Sequence, residues 1–146
     1  MICEFTAFKS DPGVKWSLMP AVRDPNQPCI DESNCDWEMA TLCAFNQTQS
    51  EGQASFLICM DEESSSTKDA LAASQNCCSD SSIDYSALKQ CFAGESGQEL
   101  LDEASKIFNK KLPGHATVPH TFVNGLDTIP LYDELKSRIC EAGSKV

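Results

Sequence analysis

Apolar residues in the middle of this chain recur three and four positions apart, the spacing of one face of an α-helix. Ser33 with Asp36 resembles a capping box, and Trp37, Ala40, Ala44 and Phe45 then share a face. After a polar break over residues 47–53, Phe56-Leu57-Ile58-Cys59-Met60 is a short apolar run that fits a strand or a buried helix equally well. Ser64-Ser65-Ser66 reads as a loop or helix entry. Residues 69–77 form a helix, and residues 84–93 form another with Tyr85, Leu88 and Phe92 on one face and Gly94 as its stop. Ser96 and Glu99 make a second capping box, opening a helix whose Leu100, Leu101, Ala104, Ile107 and Phe108 define an apolar stripe.

The two ends of the chain are patterned differently. Residues 1–10 read as the end of an amphipathic helix, with Ile2 and Phe5 along one side, and Asp11-Pro12-Gly13 as a turn. Residues 14–19 alternate apolar and polar as far as Leu18, which predicts a strand ending at Pro20. Residues 20–35 hold Pro20, Pro25 and Pro28 and show no period, as an ordered loop does. Near the other end, residues 118–123 are β-rich and run into Asn124-Gly125, a strong hairpin turn. A short extended piece then leads to Pro130 and a helix carrying Leu131, Leu135 and Ile139, closed by Gly143. The order is α/β, with a helical block between two β-containing parts and no internal repeat.

Charge narrows the choice of function. The 146 residues include 11 Lys+Arg against 22 Asp+Glu, a formal net charge of −11. A surface so acidic repels phosphate backbones and anionic lipid, which argues against nucleic-acid binding and polybasic membrane attachment. No apolar run approaches the ~20 residues of a transmembrane helix, and the chain does not open on a signal-peptide pattern.

Nine cysteines bear on the compartment: Cys3, Cys29, Cys35, Cys43, Cys59, Cys77, Cys78, Cys91 and Cys140. No Cys-x-x-Cys occurs, and His115 and His120 lie far from the cysteine-rich stretch, so the spacing predicts no metal site. It predicts instead a disulfide framework drawn from Cys29, Cys35, Cys43, Cys59, Cys77, Cys78, Cys91 and Cys140, with at least one thiol left over because the count is odd. Cys29 and Cys35 read as a structural staple in a Pro-rich loop in preference to a redox pair. Cys77 and Cys78 read as bonding to separate partners, with Cys91 a candidate for one of them, in preference to a strained vicinal switch. Asn46-Gln47-Thr48 is an N-glycosylation sequon on Asn46. Together these place the chain in the secretory pathway, a lysosomal or other organellar lumen, or outside the cell, and not in the reducing cytosol.

The ordered set Phe56-Leu57-Ile58-Cys59-Met60-Asp61-Glu62, Leu88-Lys89-Gln90-Cys91, Gly94-Glu95-Ser96-Gly97-Gln98-Glu99-Leu100 and Val118-Pro119-His120-Thr121-Phe122-Val123-Asn124-Gly125 resembles the gamma-interferon-inducible lysosomal thiol reductase family. The spaced cysteines Cys29, Cys35 and Cys43 also resemble that family's signature, although Ile30-Asp31-Glu32 stands where the family has Gln-His-Gly and His120 stands where it usually has an aromatic residue. The resemblance implies a thioredoxin-like α/β domain over residues 1–146, with a cysteine-rich helical insertion at about 29–112 between the second strand and the cis-Pro strand. It also implies that Val118 and Pro119 form the loop that faces a substrate disulfide, and that the chemistry uses no cofactor.

Family members reduce disulfides through a Cys-x-x-Cys at a helix N-terminus, where the helix dipole and backbone donors stabilise the attacking thiolate. This chain has no such pair, and it opens near the end of the helix that would carry one. The first central strand of the fold is therefore expected to be absent, leaving two strand edges without a neighbour unless upstream sequence, another segment or a protein partner supplies one. The leading expectation is a non-catalytic binding or structural subunit of a larger lumenal or secreted assembly. The second is a fragment of an active thiol reductase acting on disulfide-containing proteins through an upstream Cys-x-x-Cys.

Overall fold

Helix caps and small apolar residues organise most of the molecule. The computed structural model describes residues 16–27, 29, 34–114 and 118–143, and the chain divides into two compact units, Trp16–His115 and Met1–Lys15 with Ala116–Val146. The expected helix end at residues 1–10, the turn at residues 11–13, Ser33 and His115 lie outside the described residues.

The larger unit is helical: α1 (Asp36–Phe45), α2 (Ser50–Ser64), α3 (Ala70–Cys78), a 3₁₀ turn (Ser79–Ser81), α4 (Tyr85–Ala93) and α5 (Glu95–Lys111). The ambiguous run at Phe56 is helical, the middle of α2, because Phe56 and Met60 stand one turn apart and both are buried. Asp69 caps α3, its Oδ1 accepting from the backbone N–H groups of Leu71 and Ala72 at 3.0 and 3.1 Å. Asp84 caps α4, accepting from Ser86 N–H at 2.8 Å. The side chain of Gln47, just beyond α1, binds both sides of the Asp84 backbone: its Nε2 donates to the carbonyl at 3.3 Å, and its Oε1 accepts from the N–H at 3.1 Å.

The Ser96–Glu99 capping box does not form, and the Ser33–Asp36 box falls partly outside the described residues. Cys35 is the N-cap of α1, without a side-chain cap bond. Gly94 ends α4 and at once opens α5, so Ser96 and Glu99 fall inside the first turns of that helix. The reason is a tight junction. Gly97 packs so closely that an added Cβ would sit 2.7 Å from the Cys91 carbonyl and 3.0 Å from Met39 Sδ, so only glycine lets α5 pass α4 and α1 here.

α1 packs against α2, α3, α4 and α5 and is the centre of this unit. One core gathers Ala40, Cys43, Ala44, Phe56, Met60, Ala70, Ala73, Cys77 and Leu88; its alanines let the helices approach closely. A second gathers Val22, Cys29, Cys35, Leu42, Leu101 and Ala104 between α1, α5 and the segment before them.

The strand expected over residues 14–19 does not form in its described part. Trp16 to Val22 is irregular, with Leu18 and Met19 exposed. Alternation yields a strand only where a neighbouring strand can satisfy the backbone, and here only the end of the segment, at Val22 and Arg23, lies against a helix. The Arg23 carbonyl accepts from Ser105 Oγ and Asn109 Nδ2 of α5, each at 2.8 Å, which seats Val22 in the second core.

The smaller unit contains the expected hairpin and helix. β1 (Thr121–Val123) pairs antiparallel with β2 (Leu126–Thr128) in the register Thr121↔Thr128, Phe122↔Asp127 and Val123↔Leu126. Asn124 (φ 49°) and Gly125 (φ 81°) both take left-handed backbone, as a two-residue type I′ turn requires. α6 (Tyr132–Gly143) packs on both strands. The described residues are thus mostly helical, with one small two-stranded antiparallel sheet.

Candidate functional site

The cysteines account for most of the chemistry in the described residues. Cys43 of α1 is bonded to Cys91 of α4, with Cα atoms 5.8 Å apart, and Cys59 of α2 to Cys77 of α3, with Cα atoms 5.6 Å apart. Both bridges run between helices through the first core and clamp four helices in pairs. Cys29 is bonded to Cys35 at the mouth of α1, with Cα atoms 5.2 Å apart. Cys140 is disulfide-bonded as well. The expected disulfide framework is present, and such bridges are compatible with an oxidising environment.

Cys78 departs from expectation. It is a free, buried thiol, whereas its neighbour Cys77 has Cys59 as partner and Cys91 has Cys43. Both cysteines belong to α3, where successive side chains point about 100° apart around the helix axis, so they face different neighbours. Burial, and secondarily the charge of Asp84, pushes the Cys78 thiol up to about 11 from 9.0. The neutral thiol is therefore favoured in the folded state. The linkage has a definite sign: the stability tied to this proton is fully present below pH ~9 and is lost as pH rises toward about 11. At pH 8 the native protein is expected to resist iodoacetamide at Cys78 and to take up one label there after unfolding in denaturant without reductant. Rapid labelling of Cys78 in the native state, read by peptide mass, would show this thiol to be reactive after all.

Around the cis-Pro loop, the Val118–Pro119 peptide bond is cis, the isomer the resemblance implies, and Val118 is exposed. His120 follows, with Nδ1 3.1 Å from both carboxylate oxygens of Asp127 on β2 and its ring stacked on Phe122. The hairpin register makes this contact, since Asp127 stands opposite Phe122. Sequence spacing alone left His120 without a partner. This pair ties the residue before β1 to β2. Asn46, the sequon's acceptor, is the exposed C-cap of α1.

One grouping was invisible in the spacing. The sulfurs of Cys29 and Cys35 and a carboxylate oxygen of Glu38 lie within 4.8 Å of one another. Cys35 caps α1 and Glu38 is in its first turn, so the helix presents both to Cys29. Cys29 and Cys35 are only 6% and 7% exposed, and Glu38 is half-buried with its Oε2 out of solvent. The disulfide packs among Val22, Leu42, Leu101 and Ala104. In the bonded form these sulfurs are staple atoms, not ligands.

Compared with known proteins, the chain matches no family model, no curated protein and no solved structure. No helix among the described residues is long and apolar enough to cross a membrane.

Proposed function

We propose that this chain acts as a non-catalytic binding or structural subunit of a larger lumenal or secreted assembly, built on the thioredoxin-like pattern of the lysosomal thiol reductases. The observation that carries this reading is the state of the described cysteines: six are paired with one another in bridges that hold helices or a loop, Cys140 is disulfide-bonded as well, and the free thiol, Cys78, is buried and held protonated. Disulfide reduction needs an accessible thiolate with a second thiol to resolve the mixed disulfide, and none of these cysteines offers that pair. A binding role has support in the smaller unit. Leu126, Ile129, Leu131 and Tyr132, crowded between β2 and the start of α6, are between 59% and 64% exposed, an amount of open apolar surface that suits contact with another protein.

The test is an insulin-type disulfide reduction with dithiol as electron donor, run on the 146-residue chain. The expected rate equals that of the dithiol alone. Turnover above that rate, lost in Cys29→Ala/Cys35→Ala and retained in Cys78→Ala, would make the Cys29–Cys35 bridge a redox centre and replace this reading with the reductase one.

A further inference from the structure

We propose that reduction of the Cys29–Cys35 disulfide creates a site for one thiophilic divalent cation of the Zn²⁺ or Cd²⁺ type, held by Cys29, Cys35 and Glu38. The geometry is near what such an ion needs. A tetrahedral ion with bonds of ~2.3 Å to sulfur and ~2.0–2.2 Å to oxygen sets its ligand atoms about 3.5–3.8 Å apart. The two sulfurs stand at bonding distance in the disulfide and move apart to that spacing once the S–S bond is gone; what the fold supplies is a Glu38 carboxylate oxygen already within 4.8 Å of both sulfurs.

The surroundings keep the ligands together in the reduced state. Cys35 and Glu38 are fixed to one turn of α1. Cys29 is delivered by a segment whose Arg23 carbonyl is bound by Ser105 and Asn109 of α5 and whose Val22 is fully buried. Apolar Leu42, Leu101 and Ala104 wall the sulfurs from bulk water, which strengthens metal–thiolate bonding and leaves a fourth position for water or an added ligand. Two thiolates in so apolar a place are costly without a cation, and a divalent ion removes most of that cost. The net charge of −11 favours a cation as well.

The chemistry balances with a dithiol as reductant. The dithiol gives two electrons and two protons to the Cys29–Cys35 bond and leaves as its own disulfide. The cation then displaces the two thiol protons and keeps its oxidation state. Because the same two sulfurs serve both forms, the bridge and the bound ion exclude each other, and the mouth of α1 becomes a redox-gated metal site.

The experiment is an anaerobic Cd²⁺ titration of the chain, oxidised and after phosphine reduction, at a low temperature where far-ultraviolet circular dichroism shows the reduced chain still helical, followed by the ultraviolet thiolate-to-metal charge-transfer band. Expected are no band in the oxidised protein and one Cd²⁺ per reduced chain. Glu38→Gln, which retains all the cysteines, is expected to bind at least ~10-fold more weakly, while Asp36→Asn in the same helical turn binds as the wild type. Cys29→Ser/Cys35→Ser is expected to lose the high-affinity site. Phosphine also opens the other bridges, so equal affinity in Cys29→Ser/Cys35→Ser would show that other thiols hold the ion and would overturn the proposal. Undiminished affinity in Glu38→Gln, or no bound ion in the reduced chain, would overturn it too.

Discussion

Removing the Cys43–Cys91 bridge with Cys43→Ala/Cys91→Ala is expected to lower the stability of the helical unit by about 4 kcal/mol in urea or guanidinium titrations. The size follows from chain entropy. The bridge spans a sequence separation of 48, and closing a loop of that length in the unfolded chain costs about 4 kcal/mol that the native state does not lose. Cys59–Cys77 spans 18 and Cys29–Cys35 only 6, so their removal is expected to cost about 3 and about 2 kcal/mol. Position reinforces the order, because Cys43–Cys91 joins α4 to the central helix α1, whereas Cys59–Cys77 joins α2 to α3. Alanine is chosen because a serine hydroxyl at nearly buried Cys43 would add an unpaired polar group. Typical domains hold ~5–15 kcal/mol in all, so the double variant should sit near the edge of unfolding at physiological temperature. A loss below ~1 kcal/mol, or the reverse ranking of the three bridges, would mean that the unfolded chain is constrained by something other than these bridges.

Phe56→Ala is expected to cost about 3–5 kcal/mol. Phe56 is fully buried in the centre of α2, among the alanines and Leu88 of the first core, where truncation leaves a cavity that packed helices fill poorly. The informative comparison is Ile58→Ala two residues along the same helix. Ile58 is 63% exposed, so its truncation should stay within about 0.5 kcal/mol. Equal losses at the two positions, measured in the same denaturant series, would mean that α2 does not bury the face described here.

The helices were the most legible part of the fold, for a physical reason. Tyr85, Leu88 and Phe92, or Leu101, Ala104 and Phe108, mark their buried faces by spacing alone, and Asp69 and Asp84 mark helix starts through bonds that are local in sequence. Asn124-Gly125 is legible on the same ground, since few other pairs accept two left-handed residues in succession. Strands carry less local information. Residues 16–19 show the alternation of a strand, yet a strand exists only where another backbone pairs with it, and that depends on distant residues. The Ser96–Glu99 box failed similarly: α5 has its N-cap at Gly94, directly after α4, and Gly97, already inside it, packs against Cys91 of the preceding helix and Met39 of the distant α1.

The candidate site divides along the same line. By itself, the sequence determined that the chain is rich in cysteine, strongly acidic and helical through its middle, and that it holds no Cys-x-x-Cys; these are properties of composition and of neighbours a few residues apart. Only the tertiary structure decided that Cys43 meets Cys91 and Cys59 meets Cys77, that Cys78 is left buried without a disulfide, and that Glu38 stands beside the Cys29–Cys35 sulfurs. Spacing alone cannot choose among pairings of nine cysteines, because each pairing depends on which helix faces meet, and those meetings are set by packing around α1 across dozens of intervening residues.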